Sequence, residues 1–281
     1  MEIISTVVEM QSRSRQLRRE GRTIAFVPTM GFLHEGHLSL MREGRQRADI
    51  LVTSIFVNST QFAPGEDFET YPRDMPRDLA LATSVGTDIV FTPDNEMMYT
   101  QGFQTYVNPE RLSKVLCGIS RPVFFRGVAT VVSKLFNIVR PDMAIFGEKD
   151  YQQLVIIRRM VQELNFEIEI VGGATVREND GLAMSSRNAY LGADQRPAAL
   201  SLYQSLQQSR ALVQEGEREA GRIIAAATGH ITSFDETAID YIAIVDPETL
   251  ENMAVIDRPA RMALAVKVGS TRLIDNMALG D

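Results

Sequence analysis

One stretch of sequence decides the fold: Ile24-Ala25-Phe26-Val27-Pro28-Thr29-Met30-Gly31-Phe32-Leu33-His34-Glu35-Gly36-His37. Its first residues form a short apolar run, which is typical of a buried parallel strand. Pro28 and Gly31 then predict the end of the strand and a turn. The apolar pattern over residues 38–47 predicts an amphipathic helix. The two histidines are therefore expected where a strand leads into the N-terminus of a helix.

This predicted position of the two histidines suits a phosphate group. Backbone N–H groups in a first helical turn have no partner within the helix, and the helix dipole favours negative charge there. Gly36, between the imidazoles, lets a ligand approach the backbone closely. Two other interpretations stay open, because a histidine is often structural and His-x-x-His can be half of a metal site. The chain has only three histidines and one cysteine, the distant Cys117, so phosphate binding is favoured.

Composition and charge argue against several classes of protein. The 281 residues are 44% hydrophobic and 23% charged, as in a globular protein with one large or two modest domains. No apolar run approaches the length of about 18 residues that crosses a bilayer, and the first residues do not resemble a secretory signal. A single cysteine suits a reducing compartment, and the net charge of −7 argues against a nucleic-acid binder. We therefore expect a cytoplasmic enzyme with no nucleic-acid or membrane partner.

Strand and helix patterns alternate through the first two thirds of the chain. This alternation predicts a doubly wound parallel sheet of the α/β class, with ligands at the carboxyl ends of its strands. A long irregular segment over residues 58–76 contains several prolines and is predicted to be functional, as a lid. The predicted strands cover residues 24–27, 50–57, 89–91, 143–146 and 166–171, and the predicted helices cover 6–21, 38–47, 78–84, 128–139 and 151–164.

The character of the chain changes after Val176. Residues 178–188 are polar and rich in turn formers, and two helical patterns and two strands, 241–245 and 262–268, follow. We predict a first domain over residues 1–176 and a smaller C-terminal α+β domain over residues 177–281.

Further candidates for phosphate binding follow the predicted strands. The chain lacks the Gly-x-x-x-x-Gly-Lys-Ser/Thr and Gly-x-Gly-x-x-Gly sequences of the common nucleotide-binding loops. Lys149 follows the fourth strand and offers a point charge, although an exposed surface lysine is equally consistent with its position. Ser185, Ser186 and Arg187 offer hydroxyls and a guanidinium group that suit polyphosphate oxygens, and a polar inter-domain loop would look similar.

Three amide side chains form a second group. Asn58 and Gln61 follow the second strand, and Gln153 follows Lys149, so all three are expected at one edge of the sheet. Neutral amides there can bind hydroxyl and carboxylate groups of a small polar substrate. Surface polarity is the alternative explanation. The sequence contains no evident Ser-His-Asp or Cys-His set for nucleophilic catalysis.

The histidine stretch, residues 27–31 and 34–37, closely resembles the signature of the pantothenate synthetase family. That family belongs to the nucleotidyltransferases with a His-x-Gly-His-type motif. The likeness extends in family order through residues 54–58, 61–62, 71–73, 126–130, 146–153, 180–188 and 272–276.

The resemblance implies an ATP-dependent ligase that joins pantoate to β-alanine through a pantoyl adenylate. The products are pantothenate, AMP and pyrophosphate, and Mg²⁺ takes part, with ligands that the sequence does not identify. The resemblance also implies a homodimer, a Rossmann-like domain for nucleotide and pantoate over residues 1–176, and a C-terminal lid.

The resemblance carries site residues with it. It implies that His37 donates a proton and that Gln61 and Gln153 hold pantoate. We assign His34 and His37 to phosphate oxygens where charge develops, and Met30 to the apolar wall of the pantoate site with Asn58 nearby. Lys149 and Ser185 to Arg187 are assigned to the β- and γ-phosphates. The implied ATP contacts are Met30, Gly31, Phe32, Leu33, His34, Glu35, Gly36, His37, Gly147, Glu148, Lys149, Asp150, Val176, Met184, Ser185, Ser186 and Arg187.

The chain departs from the family pattern at a few positions. Ser59 replaces a usual proline, Cys117 a usual glutamate, and Val123-Phe124 a usual Gly-His pair. Two rival functions follow. Another adenylyl- or cytidylyltransferase would share the histidines but would not need the paired glutamines. A nucleotide-binding regulatory paralogue would keep the fold without turnover.

Overall fold

Strand β2 (Ile24–Thr29) lies inside a six-stranded sheet in the computed structural model, which describes residues 1–280. The other strands of this sheet are β1 (Glu2–Ile4), β3 (Ile50–Ile55), β4 (Ile89–Phe91), β5 (Met143–Gly147) and β6 (Glu169–Gly173). Their order is β1-β4-β3-β2-β5-β6, and every neighbouring pair is parallel. The predicted parallel sheet is confirmed.

Helices cover both faces of the sheet. The helices of this part of the chain are α1 (Val7–Arg19), α2 (Glu35–Arg47), α3 (Met75–Ser84), α4 (Asn95–Met98), α5 (Cys117–Ser120), α6 (Phe124–Val139) and α7 (Tyr151–Glu163). Successive side chains of a strand point to opposite faces. Phe26 accordingly belongs to the apolar core that includes α1, α6 and α7, whereas Ala25 and Val27 belong to the core with α2 and α3. The doubly wound arrangement follows from this two-sided burial.

Strand β2 continues past the point where the sequence predicted its end. Pro28 lies within the strand and is paired with Ser54 of β3. On the other side, the pairing of β2 with β5 involves only Ala25 and Phe26. The missing N–H of Pro28 therefore leaves no gap in that ladder, so the prediction that Pro28 ends the strand was wrong.

Several other boundaries differ from the predictions. Helix α2 begins at Glu35 rather than Leu38, so His37 lies in its first turn. Helix α3 begins at Met75, and the predicted lid segment also contains a 3₁₀ turn over Ser59–Gln61. Strand β6 begins and ends later in the chain than the strand predicted over residues 166–171. Strand β1 was not predicted, because its Glu2–Ile4 sequence is too short to show alternation.

The C-terminal part forms a smaller α+β unit. It contains α8 (Arg196–Gln214), α9 (Ala220–Ile231) and the strands β7 (Thr237–Val245), β8 (Ala260–Val268) and β9 (Thr271–Leu279), which form an antiparallel sheet in chain order. Strand β9 was not predicted. This unit has its own apolar core, which runs from Leu182 to Leu279. The division between residues 176 and 177 stays a prediction.

The strand order reverses at β2. From there the chain proceeds outward through β3 and β4, and it returns to add β5 and β6 on the other side. In open α/β sheets such a reversal leaves a crevice at the carboxyl ends of the strands, where ligands bind. The histidine stretch follows β2, and Lys149 follows β5, so both border this crevice. Within residues 1–280, no helix has the length and apolar character needed to span a membrane.

Candidate active site

A cavity of about 970 Å³ opens at this crevice between the large sheet and strand β9. Its volume lies at the upper end of the range for ligand-binding pockets, about 300–1,000 Å³. Most of the predicted site residues line it: Met30, His34, Gly36, His37, Asn58, Gln61, Gly147, Lys149, Asp150, Gln153, Val176, Met184, Ser185, Ser186 and Arg187.

Five predicted ATP contacts lie outside the cavity wall: Gly31, Phe32, Leu33, Glu35 and Glu148. The backbone N–H groups of Phe32 and Leu33 donate to the carboxylate of Asp78, each at 2.7 Å. The side chain of Glu35 turns to the surface and pairs with Arg42. Contacts from these residues to ATP stay predictions, and the backbone N–H groups of Phe32 and Leu33 also hold the loop.

The two imidazoles lie against each other at the N-terminus of α2. Their ring centroids are 4.0 Å apart. The backbone N–H of His34 donates to Nδ1 of His37 over 3.3 Å. An imidazole nitrogen that accepts a hydrogen bond carries no proton, so the proton of neutral His37 is on Nε2. His37 is thereby prepared to donate a hydrogen bond from Nε2.

Burial keeps both imidazoles uncharged near neutral pH. Burial, and then the nearby charge of Lys149, lowers the pKa of His34 from 6.5 to about 4. Burial also lowers the pKa of His37 well below its usual value, and His34 and Lys149 add to this effect. Removing a charged group from water disfavours its charged form. The pair therefore offers hydrogen bonds to a ligand, while the positive charge comes from Lys149.

The lowered pKa of His34 predicts a loss of stability in mild acid. Between pH 6.5 and about 4 the unfolded chain binds a proton at this residue and the folded chain does not. Stability conferred by the neutral imidazole is therefore present above pH 6.5 and is lost as the pH falls toward 4. We expect the melting temperature to drop less between pH 7.5 and 5.0 in His34→Gln than in the unmodified chain. Equal drops in a thermal scan would contradict this assignment.

Close packing holds the histidine loop in place. A Cβ at Gly36 would lie 2.9 Å from the imidazole of His34, so a larger residue there would displace that ring. Asp78, which is 1% exposed, fixes the loop from the other side through its two bonds to backbone N–H groups. No local pattern in the sequence indicates the role of Asp78, because its partners lie 46 and 45 residues away.

Lys149 and the serine–arginine cluster lie on different parts of the cavity wall. Lys149 is in a 3₁₀ turn, Glu148–Asp150, directly after β5, and its ammonium group has no hydrogen bond or ion pair within residues 1–280. Arg187, in contrast, pairs with Asp67 through two bonds of 3.0 Å. Asp67 belongs to the predicted lid segment. Polyphosphate oxygens at Arg187 would therefore compete with this carboxylate.

The three amides have different surroundings. Gln61 is 7% exposed, and its Oε1 accepts from Nδ2 of Asn58 at 3.0 Å. Asn58 is fully engaged, since it also donates to the carbonyl of Gly127 and accepts from Thr60 and Tyr99. Gln153 lines the cavity and has no hydrogen bond of its side chain within residues 1–280. Asn58 thus orients Gln61, and Gln61 and Gln153 remain the amides that can meet a substrate.

Helix α6 approaches the turn of Gln61 very closely. A Cβ at Gly127 would lie 2.4 Å from the carbonyl oxygen of Thr60, and the backbone of Gln61 is almost as near. Only glycine permits this contact, which presses the turn against the helix. The position of the Gln61 amide in the cavity therefore depends on a residue that is distant in sequence.

Comparisons with known proteins identify the family. The sequence model described as "Pantoate-beta-alanine ligase" matches residues 2–278. The chain belongs to the pantoate–beta-alanine ligase family. It is 59% identical over 279 residues to the pantothenate synthetase of Desulfatibacillum aliphaticivorans, with 99% of each chain covered. It is 57% identical to that of Geobacter sulfurreducens (strain ATCC 51573 / DSM 12127 / PCA), covering 100% of this chain and 99% of the relative.

Solved structures of family members agree with this fold. The crystal structure of pantothenate synthetase from Thermus thermophilus superposes with a TM-score of 0.93 at 45% identity and covers 99% of both chains. The pantoate-beta-alanine ligase of Francisella tularensis, solved with beta-gamma ATP and beta-alanine, superposes with a TM-score of 0.82 at 32% identity. That comparison covers 99% of this chain and 97% of the other. The activity of the chain is therefore that of a pantoate–β-alanine ligase in pantothenate biosynthesis, and the rival functions are set aside.

Two of the departures from the family pattern, Cys117 and Phe124, line the cavity. Cys117 is 7% exposed, and its backbone N–H donates to Oε1 of Gln152 at 3.1 Å. The guanidinium of Arg121 stacks 3.9 Å from the ring centroid of Phe124 and forms an ion pair with Glu66. Phe124 therefore supports a cation as well as filling apolar space.

Replacing Phe124 by histidine tests whether this departure weakens the ligase. Burial beside Arg121 favours a neutral imidazole, which leaves an incompletely paired polar group. We expect Phe124→His to retain a steady-state rate within about threefold and to melt at a slightly lower temperature. A rise in rate of about tenfold or more would instead mean that the phenylalanine lowers the activity of this family member.

Proposed function

We propose that this ligase activates pantoate with ATP as a pantoyl adenylate and then transfers the pantoyl group to β-alanine. The observation that carries the proposal is the meeting of a neutral histidine pair and an unpaired lysine at one cavity that also presents two glutamine amides. The Francisella tularensis ligase was solved with beta-gamma ATP and beta-alanine, which supports the same pair of substrates.

In the first step the pantoate carboxylate attacks the α-phosphorus of ATP. A bond forms between the carboxylate oxygen and phosphorus, and the bond to pyrophosphate breaks, so negative charge grows on the leaving oxygens. His37 donates from Nε2 to these oxygens, with His34 beside it, and Lys149 neutralises them. Such pre-positioned donors stabilise charge where it develops without reorganising during the reaction. Ser185, Ser186 and Arg187 bind the β- and γ-phosphates from the opposite wall.

Pantoate requires both polar and apolar contacts. Gln61 and Gln153 hydrogen-bond its hydroxyl and carboxylate groups, and Met30 contacts its gem-dimethyl group. The Sδ atom of Met30 lies 3.0 Å from Nε2 of Gln61, so the two residues support each other. This arrangement brings the pantoate carboxylate toward His34 and His37.

In the second step the neutral amine of β-alanine attacks the acyl carbon of the adenylate. The C–N bond forms, AMP leaves with the electrons of the C–O bond, and the nitrogen loses a proton. Because an acyl adenylate reacts readily with water, the site benefits from closure. The predicted lid segment contacts the C-terminal unit through Asp67 with Arg187, and through the carbonyl of Thr70 with Tyr190. We propose that the segment and this unit close over the intermediate.

Mg²⁺ is expected from the family resemblance. Within residues 1–280 there is no group of three or more His, Cys, Asp or Glu side chains that could hold a metal ion. Mg²⁺ on a nucleotide needs few protein ligands, because the phosphates and water supply most of them. Asp150 lines the cavity next to Lys149 and forms no ion pair within the described residues, so its carboxylate fits this need. The ion would neutralise phosphate charge there.

Exchange of labelled pyrophosphate into ATP tests the proposal directly. Reversible adenylate formation predicts exchange that requires pantoate and does not require β-alanine. Exchange without pantoate would indicate a different nucleotidyl acceptor. Absence of exchange, combined with the formation of ADP and phosphate from ATP during pantothenate synthesis, would replace the adenylate with an acyl phosphate.

The family resemblance also supports a homodimer, and the single cysteine suits a cytoplasmic location. Light scattering of the purified chain would test the oligomeric state. A monomer at the concentration of the activity assay would overturn this part of the proposal.

A further inference from the structure

Strand β9 carries a residue that is in contact with the phosphate-binding turn and has no place in the mechanism above. Asn276 is 6% exposed. Its Nδ2 donates to the backbone carbonyls of Glu148, at 3.0 Å, and of Lys149, at 2.9 Å. Its Oδ1 accepts from the guanidinium of Arg261. Both ends of the amide are therefore used within the protein.

The amide of Asn276 has one orientation that satisfies its neighbours. Backbone carbonyls only accept hydrogen bonds, and a guanidinium group only donates them. If the amide were reversed, its oxygen would face the two carbonyl oxygens, and its NH₂ group would face the N–H donors of Arg261. Arg261 is itself held, because its guanidinium stacks 3.7 Å from the ring centroid of Tyr151. The two amide hydrogens are thus fixed on two consecutive carbonyls.

Those carbonyls set the direction of the Lys149 side chain. Each belongs to a peptide plane, and the planes on either side of the Lys149 Cα determine where its Cβ points. The 3₁₀ turn Glu148–Asp150 is short, and such turns have poorer internal hydrogen bonds than an α-helix. Two bonds from a buried side chain therefore add constraint at the residue that needs accurate placement.

The neighbouring residue of β9 holds the other wall of the cavity. Asp275 binds the guanidinium of Arg177 through two bonds, of 2.6 and 3.0 Å. Arg177 also donates to the carbonyl of Gly181, and it forms an isolated bridge with Ala183. This short hairpin leads directly into residues 184–187. Strand β9 thus contacts the turn that carries Lys149 and also, through Arg177, the hairpin that leads into residues 184–187.

We propose that Asn276 is a positioning residue for Lys149 and that β9 sets the spacing between Lys149 and the 185–187 cluster. The proposal rests on the proposed role of Lys149 in adenylate formation. Loss of Asn276 leaves the charge of Lys149 in place but lets its turn relax, so the rate of the chemical step falls while substrate affinity changes little.

The test is single-turnover formation of pantoyl adenylate by Asn276→Ala. We expect the maximal rate to fall between about tenfold and 100-fold, as for a misplacement of about 1 Å, with half-saturating ATP and pantoate within about threefold. Val268→Ala is the matched stability control, because Val268 is fully buried in β8 and is absent from the cavity wall. It should melt at a lower temperature and keep its rate. If Asn276→Ala fails to fold, Asn276→Asp keeps the size and the acceptor for Arg261 but removes both donors.

A double-mutant cycle with Lys149→Ala identifies what Asn276 acts through. Without Lys149, Asn276→Ala should change the rate by less than about threefold, because coupled residues are not additive. Equal losses in both backgrounds, or an unchanged rate in Asn276→Ala while Lys149→Ala is impaired, would overturn the positioning role and leave the proposed function intact. A normal rate in Lys149→Ala would overturn the role of Lys149, and the positioning role with it.

Discussion

Lys149→Ala is expected to lower the rate of pantoate-dependent pyrophosphate release by about two orders of magnitude or more. The ammonium group has no ion pair within residues 1–280, so its charge is available to the leaving group. Removing one pre-positioned stabilising group from a site of this kind costs about 10²–10³ in rate. The substitution also removes a charge that lowers the pKa of both histidines, so their pKa values should rise. Stopped-flow detection of pyrophosphate measures the first effect, and NMR titration of the imidazoles measures the second.

Lys114→Ala provides the matched control for Lys149→Ala. Lys114 has an exposed side chain and pairs only with Glu110, a surface contact that contributes little. It should retain its rate and its melting temperature. A Lys149→Ala rate within about threefold of the unmodified chain would remove Lys149 from the mechanism.

The sequence predicted the fold well because local patterns carried the information. The apolar run at β2, the β-branched run at β3 and the 3.6-residue spacing within α6 each identify one element. Alternation then implied parallel strands, and the order of strands placed the histidines and Lys149 at one crevice. Errors occurred where tertiary contacts override a local rule, as at Pro28.

The pairing of polar groups could not be predicted in the same way. Arg187 is predicted to bind the β- and γ-phosphates, and nothing in the sequence indicates its ion pair with Asp67, which is 120 residues away. Asn58 was expected to meet the substrate, yet all its polar atoms are used to hold Gln61 and the backbone around it. A hydrogen-bonding side chain has the same appearance in a sequence whether its partner is a ligand or the protein.

Residues that support the site from a distance left no local signal. Asn276 lies 127 residues from Lys149, in a strand that was not predicted. The resemblance to the family covered residues 272–276 but gave them no role. Only the packing of the C-terminal sheet against the end of β5 makes the contact visible.

His37→Ala is expected to be nearly inactive in adenylate formation. The neutral imidazole donates from Nε2 because its Nδ1 accepts the backbone N–H of His34. That donor acts on charge that grows as pyrophosphate leaves, and its loss typically costs about 10²–10³ in rate, roughly 3–4 kcal/mol. His230→Ala is the matched control, since His230 lies in α9 and contacts Gln204. It should form the adenylate at the unmodified rate.

The second half-reaction distinguishes charge stabilisation from general positioning by His37. When preformed pantoyl adenylate and β-alanine are supplied, pyrophosphate has already left, and the charge that His37 stabilises does not develop. His37→Ala should then make pantothenate within about tenfold of the unmodified chain, a difference of no more than about 1.4 kcal/mol. Single-turnover measurements of both half-reactions on one preparation give the comparison. Equal losses in the two steps would mean that His37 holds the adenylate throughout or acts on aminolysis, and the role proposed for it in pyrophosphate departure would be wrong.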